Sequence, residues 1–441
     1  MKHAGDEDDE DATDPDSETS IEASVVGEGD RLPSPASGRP ASEVPAAALT
    51  GDELVRFGPD WCLFWGKGVR SSQLDIWLPY VRQSRYRYAV LTARGDIAPA
   101  DRAKIAALPN VVIGEPYEQA LEALRRCKGL RGFLYISTLP ENFALINQQQ
   151  RKAHVFIGHG ESGKGGSGVR TGSIYDSIFV ADYATVRRFP RAIRRWVGSG
   201  ACAIGAPIFE GTRKDPWTRP RTVRTILYAP TWESGRPRGD YTSLEVVAPL
   251  LIDLMPALAV RGIRVIVRPH PWTGTRLPES KALLDGLRAA GALMEVSKTE
   301  AFERADVLIG DISGVTAEFL LTQKPAIMPI TSKLTDHDRD AAWLDIEYPW
   351  VYRWDATGDG LLNLLTMIET DDAMRKRRAS EAKKKFRHHR SLDDAVRTFD
   401  IALSVTGWRR TPIPVRIPFE AKLLVARLRG RRGLMQRRRQ H

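Results

Sequence analysis

The strongest constraint on the fold of this chain is an alternation of short apolar runs with amphipathic segments from about residue 54 onward. Apolar runs of four or five residues indicate buried strands, and longer segments with a 3.6-residue period indicate helices. Strands that alternate with helices predict a mainly parallel sheet covered by helices. The first series predicts strands at 61–65, 88–92, 111–113, 132–136, 154–157 and 177–180, with helices at 72–83, 99–108, 117–127 and 140–149.

The alternation is interrupted once and then resumes. Residues 205–225 contain three prolines, four arginines and few apolar residues, which predicts a linker between domains. The second series predicts strands at 225–229, 264–268, 293–296, 307–309 and 326–329, and helices at 241–261, 279–291, 299–305, 315–323, 360–370, 373–388 and 392–405.

Two such series predict an α/β protein in which two Rossmann-like domains face each other across a cleft. The expected boundaries are a disordered acidic tail at 1–50, an acceptor domain at 51–210, a linker at 211–225, a nucleotide-binding domain at 226–405 and a basic tail at 406–441. Ligands of open α/β sheets bind at the carboxyl ends of the strands. The cleft is therefore the expected site.

Charge is distributed unevenly over these segments. The chain carries a formal net charge of +10, but residues 1–45 carry −10 and residues 407–441 carry +10. A basic protein favours an anionic partner such as nucleic acid, an acidic lipid surface or a phosphorylated substrate. The basic tail lacks interleaved aromatic residues, so the sequence favours an anionic membrane over nucleic acid.

Composition also excludes some classes of protein. Three widely spaced cysteines (Cys62, Cys127 and Cys202) predict neither a disulfide framework nor a zinc ribbon. The acidic N-terminus is unlike a secretory signal, and the most apolar stretch, 246–260, is too short to span a membrane. These features predict a cytoplasmic protein. The sequence has no clustered carboxylates, so it predicts neither a bound metal nor a cofactor.

A glycine-rich segment, GHGESGKGGSG at 158–168, follows the predicted strand at 154–157. Glycines allow backbone N–H groups to approach an anion, and Lys164 adds positive charge. A P-loop is one interpretation, but Gly165 stands where that motif needs Ser or Thr. A flexible glycine loop is another. The interpretation that we favour makes His159 a catalytic base, because its pKa range suits removal of a hydroxyl proton near neutral pH.

Polar residues follow the predicted strands of the second series. Thr231 follows the strand at 225–229, and Arg268 and His270 follow the next one, where Pro269 and Pro271 restrict the backbone. Arginine offers a planar fork for phosphate oxygens. An ordinary strand-to-loop turn and a structural histidine are the alternatives.

A third strand end leads directly into a helix. Asp311, Ser313 and Gly314 follow the predicted strand at 307–309, and Glu318 lies about one turn into the next helix. Helix N-termini bind phosphate through unpaired N–H groups, and Ser313 can cap the helix. Glu318 is a candidate acceptor for ribose hydroxyls. This unit predicts a nucleotide diphosphate site.

These four segments together resemble the CDP-glycerol glycerophosphotransferase family, which builds teichoic-acid-type poly(glycerol phosphate). The resemblance covers roughly 155–330. It rests on His159, Gly160 and Lys164, on the Ala-Pro-Thr at 229–231, on the His-Pro at 270–271, and on the Asp-Val-Leu-Ile-x-Asp-x-Ser at 306–313. Where the family has Tyr-Ser-Ser, this chain has Ile312, Ser313 and Gly314.

The resemblance implies a glycosyltransferase-B fold and a transferase without a cofactor. CDP-glycerol would bind the second domain through Thr231, Arg268, His270, Asp311, Ser313, Gly314 and Glu318, with Lys164 adding charge. His159 and His270 would be the catalytic residues. A lipid-linked polymer hydroxyl would be the acceptor, and the enzyme would be peripheral at the inner face of the cell membrane, held by its basic C-terminus.

Two alternatives remain open from the sequence. The Asp-x-Ser-Gly-x-x-x-Glu pattern of Asp311–Glu318 also resembles UDP-sugar 2-epimerases, so a nucleotide-sugar glycosyltransferase or an epimerase of the same fold is one alternative. A non-catalytic basic protein that binds membrane surfaces is the other.

Overall fold

A computed structural model describes residues 48–66, 71–93, 97–137, 139–158, 160, 174–182, 185–186, 200–207, 217, 219–233, 240–275, 277–294, 297–331, 344–345, 347–386 and 391–408. The strands of these residues form two separate sheets, of seven and six strands. Every strand pair is parallel. The predicted tail at 1–50 lies outside the described residues up to residue 47. Leu49 is already buried and pairs with Gly114.

The first sheet has the strand order β3-β2-β1-β4-β5-β6-β7. Its strands are Trp61–Trp65 (β1), Tyr88–Thr92 (β2), Val111–Gly114 (β3), Gly132–Tyr135 (β4), Ala153–Phe156 (β5), Ser177–Val180 (β6) and Ala201–Ala203 (β7). Its helices are Gly51–Phe57 (α1), Ser71–Leu74 (α2), Leu78–Gln83 (α3), Pro99–Ala106 (α4), Tyr117–Arg126 (α5) and Pro140–Gln148 (α6).

The second sheet repeats this topology in the order β10-β9-β8-β11-β12-β13. Its strands are Thr225–Ala229 (β8), Arg264–Val267 (β9), Leu293–Met294 (β10), Val307–Gly310 (β11), Ala326–Pro329 (β12) and Tyr352–Trp354 (β13). The helices are Leu244–Val260 (α7), Pro278–Ala289 (α8), Lys298–Arg304 (α9), Gly314–Phe319 (α10), Gly358–Thr370 (α11), Arg375–Lys385 (α12) and Leu392–Trp408 (α13), and a 3₁₀ turn, Leu320–Thr322, follows α10.

Both sheets have the Rossmann order, in which the chain direction across the sheet reverses between the first and the fourth strand. The central strands are buried at every position, which is why they read as continuous apolar runs rather than as alternating ones. The predicted α/β fold class of two Rossmann-like halves is confirmed. In the second sheet the reversal lies between β8 and β11.

The sequence prediction differs from the structure at several elements. The predicted helix at 72–83 is two helices, because Pro79 cannot continue a helix from the preceding turn. The short strands β7 and β13 were not predicted. Within the predicted linker, Trp217 and Val223 are buried in the core of the second half.

The last helix, α13, lies against the first half although it follows the second in sequence. Asp400 accepts hydrogen bonds from the Ser84 hydroxyl (2.6 Å) and from the backbone N–H of Arg85 (3.0 Å). The Phe399 ring stacks on Trp77 with ring centroids 5.5 Å apart. The end of α12 also contacts the first half, since the N–H of Ala206 donates to the carbonyl of Lys385. Among the described residues, no helix is both long and apolar enough to cross a membrane.

Candidate active site

Three neighbouring strands of the second sheet, β9, β8 and β11, end at the same edge and bring the predicted donor residues together. The register pairs Ala229 with Gly310 and Tyr228 with Val267. Arg268 and Asp311 therefore follow directly on aligned strand ends, and Thr231 follows two residues after the end of β8. This edge, between β8 and β11, is where Rossmann-type sheets bind their ligands, and we call it the donor edge after the predicted donor residues.

Asp311 is buried and is engaged by backbone donors. Its Oδ2 accepts the N–H of Thr231 at 2.7 Å and that of Ser243 at 3.3 Å. These bonds connect the end of β8 and the start of α7 to the end of β11. Asp311 therefore positions the chain at this edge, and its predicted contact with the donor phosphate stays a prediction.

Ser313 caps helix α10, as the sequence predicts. Its Oγ accepts the N–H of Thr316 at 3.3 Å, and the helix begins at Gly314. The Tyr348 hydroxyl donates to the Ser313 carbonyl at 3.2 Å, and the Thr316 hydroxyl donates to the Asp311 carbonyl at 2.7 Å. The turn that enters α10 is thus held by hydrogen bonds on both sides.

Glu318 faces the first half of the chain. Its Oε2 forms an ion pair with Lys298 Nζ at 2.8 Å, and both side chains are largely buried. Its Oε1 lies 2.9 Å from the point that a Cβ on Gly160 would occupy. Gly160, with φ +107°, therefore allows the carboxylate to approach the backbone closely. Lys298 was not predicted, because it comes from helix α9, twenty residues away in sequence.

His270 is held in an aromatic cluster at the end of β9. Trp232 stacks on it with centroids 6.0 Å apart, and Trp272 meets the Trp232 ring edge-on at 4.7 Å. The backbone N–H of Trp272 donates to His270 Nδ1 at 3.2 Å. A neutral imidazole that accepts at Nδ1 carries its proton on Nε2. The ring is therefore oriented to present Nε2 as a donor.

Glu233 is a further buried acid beside this cluster, and the sequence did not single it out as a site residue. Its Oε1 accepts the N–H of Gly274 at 2.8 Å, which ties the end of β8 to the turn that follows His270. Gly274 has φ +77°, and a Cβ there would meet the backbone of Lys281 at 3.1 Å. This turn therefore requires glycine.

The tyrosine beneath the site remains a neutral hydroxyl. Burial raises the pKa of Tyr228 well above its ordinary value, and its hydroxyl lies 3.1 Å from Ser243 Oγ. Ser243 in turn donates its N–H to Asp311. Tyr228 thus supports the hydrogen-bonded group that joins β8, α7 and β11.

The predicted base, His159, and the predicted charge, Lys164, lie outside the described residues. Their neighbours Gly158 and Gly160 are described, and they follow strand β5 of the first sheet. The contact between Gly160 and Glu318 brings this segment of the first half to the donor edge of the second. Within the described parts of the chain, no cluster of three or more His, Cys, Asp or Glu side chains could hold a metal ion.

Solved structures of similar fold include the following three. The wall teichoic acid polymerase TagF aligns with 80% of this chain and 90% of its own, at 13% identity and a TM-score of 0.51. A histidine variant of TagF soaked with CDPG aligns with 79% and 90%, at 14% identity and a TM-score of 0.50. Anabaena HepE, in complex with UDP and glucose, aligns with 78% and 99%, at 11% identity and a TM-score of 0.50.

These likenesses establish the glycosyltransferase-B-like fold, which TagF and HepE share. The comparison with curated proteins finds no match. The family comparison is more specific. Residues 214–397, which carry the whole donor edge, match the family of CDP-glycerol:poly(glycerophosphate) glycerophosphotransferases. The second half of this chain therefore confirms the predicted resemblance to the CDP-glycerol:poly(glycerophosphate) glycerophosphotransferases, a family of transferases.

Proposed function

We propose that this enzyme transfers glycerol phosphate from CDP-glycerol to a hydroxyl of a cell-wall or capsule polymer and releases CMP. The observation that carries the proposal is the convergence of Thr231, Arg268, His270 and Ser313 on one edge of a sheet within the region that matches the family. A nucleotide-sugar glycosyltransferase or epimerase shares the fold but not this family match.

The donor diphosphate is proposed to bind at the ends of β8, β9 and β11. The positively charged guanidinium of Arg268 donates hydrogen bonds to the diphosphate. The Nε2–H of His270, whose ring is oriented by the hydrogen bond from Trp272, is a second hydrogen-bond donor. Uncharged hydrogen-bond donors are added by Thr231 and by the start of helix α10 at Ser313 and Gly314. Donors fixed by the surrounding structure stabilise the charge that develops in transfer without reorganising during the step.

The acceptor hydroxyl is proposed to come from the side of the first half, where His159 removes its proton. The acceptor oxygen then attacks the phosphorus that bears glycerol, the bond from this phosphorus to the bridging oxygen breaks, and CMP leaves with that oxygen. Positioning and charge stabilisation provide most of the catalysis in phosphoryl transfer. Lys164 is proposed to add positive charge near this phosphate.

The family's polymer acceptor is proposed to be lipid-linked, which places the reaction at a membrane surface. The basic C-terminal segment, residues 419–441, has eight arginines and lysines and one acidic residue. We propose that it holds the enzyme at the anionic inner face of the cell membrane. The positive charge of residues 407–441 would provide this attachment, and the donor edge would bind CDP-glycerol for the transfer.

Single substitutions of the two histidines and of one arginine test the donor and base assignments. We expect H159A, H270A and R268A each to lower the rate of CMP release from CDP-glycerol by on the order of 100-fold, since each removes a proton acceptor or a fixed donor. The assay follows CMP formed in the presence of acceptor membranes. UMP or UDP release from a UDP-sugar in its place would favour the glycosyltransferase or epimerase alternative.

Arg264 provides the matched control for Arg268. It is the first residue of β9, the strand that Arg268 follows, and it is exposed to solvent. R264A should release CMP at a rate within about twofold of the unmodified enzyme, because surface substitutions change little. Equal rates for R264A and R268A would exclude Arg268 from the proposed donor site. Undiminished turnover in both histidine variants would refute the site as a whole.

A further inference from the structure

The hydrogen bond that orients His270 fixes which nitrogen carries the proton, but it leaves the plane of the ring open. The backbone N–H of Trp272 donates to His270 Nδ1 at 3.2 Å, so Nε2 carries the proton in the neutral imidazole. A ring that is held at one atom can still tilt about that atom. A second contact is therefore needed to fix the direction in which the Nε2–H points.

Trp232, two residues after the second-sheet strand β8 reaches Pro230, provides this contact across the face of the ring. Its indole stacks on the His270 imidazole with an angle of 25° between the rings and centroids 6.0 Å apart. Trp272 meets the Trp232 ring edge-on at 4.7 Å and the His270 ring edge-on at 6.3 Å. Aromatic rings attract one another in these stacked and edge-to-face arrangements. The Trp232 indole thus restricts the tilt that the hydrogen bond at Nδ1 permits.

The backbone that carries Trp232 is fixed on both sides. The N–H of the preceding residue, Thr231, donates to Asp311 Oδ2 at 2.7 Å. The following residue, Glu233, accepts the N–H of Gly274 through its Oε1 at 2.8 Å. Both neighbours are buried. One side of Trp232 is therefore tied to the end of β11 and the other to the turn that follows β9, so the indole has a fixed base from which to hold another ring.

We infer that Trp232 is a positioning residue for the transfer reaction, which acts by holding the imidazole plane of His270 so that its Nε2–H is directed at the donor diphosphate. This inference rests on the proposed function, because it takes His270 as a hydrogen-bond donor to that diphosphate. Trp232 acts through His270 and makes no contact with the reacting atoms itself. Loss of the stacked indole should therefore remove part of the rate that loss of His270 removes.

The substitution W232L removes the stacked face, whereas W232F keeps an aromatic ring at the same position. We expect W232L to lower kcat/KM for CMP release from CDP-glycerol by about tenfold, and W232F by less than about threefold, because a misplaced donor loses rate steeply. Each variant is assayed well below its own Tm, so that only folded enzyme is measured. Equal losses in W232L and W232F overturn the inference.

Phe57 of helix α1 provides the matched control. It is partly exposed, as Trp232 is, and it also stacks on a planar group, with Arg87 Cζ 5.6 Å from its ring centroid. It lies in the first half and has no place in the proposed site. F57L should leave kcat/KM within about twofold of the unmodified enzyme. A loss in F57L equal to that in W232L overturns the inference.

A double-mutant cycle with H270A separates positioning from a general structural effect. If Trp232 acts through His270, W232L should lower the residual activity of H270A by less than about twofold, because the ring that it holds is gone. A loss of about tenfold that persists in the H270A background overturns the inference.

The tautomer of His270 gives a measurement that does not depend on turnover. Long-range proton–nitrogen NMR spectra of the protein with isotope-labelled histidine report the tautomer, and H270A identifies the His270 signals. The unmodified protein and W232F should show the Nε2–H tautomer, and W232L a mixture, because a ring that turns away from the Trp272 N–H has no fixed acceptor at Nδ1. An unchanged tautomer in W232L overturns the inference. Full turnover in H270A is a separate result, since it refutes His270 as a donor to the diphosphate in the proposed function.

Discussion

Gly160 is the residue at which the first half approaches the donor edge of the second. The carboxylate of Glu318 lies against its backbone, and the ion pair with Lys298 fixes that carboxylate from the other side. A charged group is therefore held close to Gly160, the residue that follows His159 in the sequence.

We expect G160A to lower kcat for CMP release about tenfold. A Cβ would lie 2.9 Å from Glu318 Oε1, so the carboxylate, the backbone or both must move. Gly291 is the matched control, with a similar φ of +101° and nothing within 4 Å of its Cβ position. Urea unfolding should show a comparable loss of stability in both variants, about 1–3 kcal/mol from the strained backbone.

The kinetic difference between these two glycine variants is the decisive measurement. G291A should retain kcat within about twofold, because only the backbone strain is common to both sites. If kcat falls equally in G160A and G291A, the contact with Glu318 has no special part in the reaction.

Helix α13 is the element that binds the two halves of the chain, and a buried carboxylate lies in its contact. Burial raises the pKa of Asp400 above its ordinary value of 3.8, although the hydrogen bonds from Ser84 and Arg85 act in the opposite direction. The folded protein therefore keeps the Asp400 proton at pH values where the unfolded chain has released it. The free energy of unfolding consequently falls as the pH rises from about 3.8 through the raised pKa.

We expect D400N to lack this contribution, because asparagine does not titrate. The difference in unfolding free energy between the unmodified protein and D400N should shift in favour of D400N as the pH rises through this window. Urea midpoints measured from about pH 3.5 to about pH 7 check this. The control I401N places asparagine at the next position, which is exposed, and leaves the carboxylate intact. A pH-independent difference for D400N would contradict the expectation.

The sequence predicted those elements whose signal is local. Strands β8 and β12 were predicted to the residue, because a continuous apolar run is what a strand buried on both faces requires. Strands β7 and β13 have only three residues each, Ala-Cys-Ala and Tyr-Arg-Trp. Runs this short carry no periodicity, and they are strands because a neighbouring strand supplies their hydrogen bonds.

The residues of the candidate site also fall into those that the sequence could predict and those that it could not. Residues that follow a predicted strand, such as Thr231, Arg268 and Ser313, could be identified because parallel strands end at one edge. Glu233 and Lys298 could not, since their contacts join segments 41 and 20 residues apart. The hydrogen bonds of Asp311 could not be predicted for a similar reason: its backbone partners at Thr231 and Ser243 become neighbours only in the folded sheet.

At the scale of the whole molecule, positive charge is concentrated in two places. Residues 407–441 carry a net +10, and residues 375–390 carry a net +8. Helix α12 exposes Lys376, Arg377, Lys383 and Lys384, which lie on one face at helical spacing. The folded part of the enzyme therefore adds a second basic surface to that of the C-terminal segment.

We expect deletion of residues 419–441 to weaken binding to vesicles of phosphatidylglycerol and phosphatidylcholine by at least about tenfold, since each Lys or Arg at an anionic surface contributes about 1 kcal/mol. Co-sedimentation measures the bound fraction. Deletion of residues 2–24, a segment of equal length, removes acidic charge and should not weaken binding. Unchanged sedimentation after the C-terminal deletion would refute the proposed attachment.

The return of helix α13 to the first half also has a consequence for the order in which the protein can be completed during synthesis. Trp77 and Ser84 emerge from the ribosome more than 300 residues before Phe399 and Asp400, which cover them. This apolar surface of the first half therefore stays uncovered until α13 has been translated. A product that stops before residue 392 would keep every described strand of both sheets, yet its first half would keep this apolar surface uncovered and would be prone to aggregation.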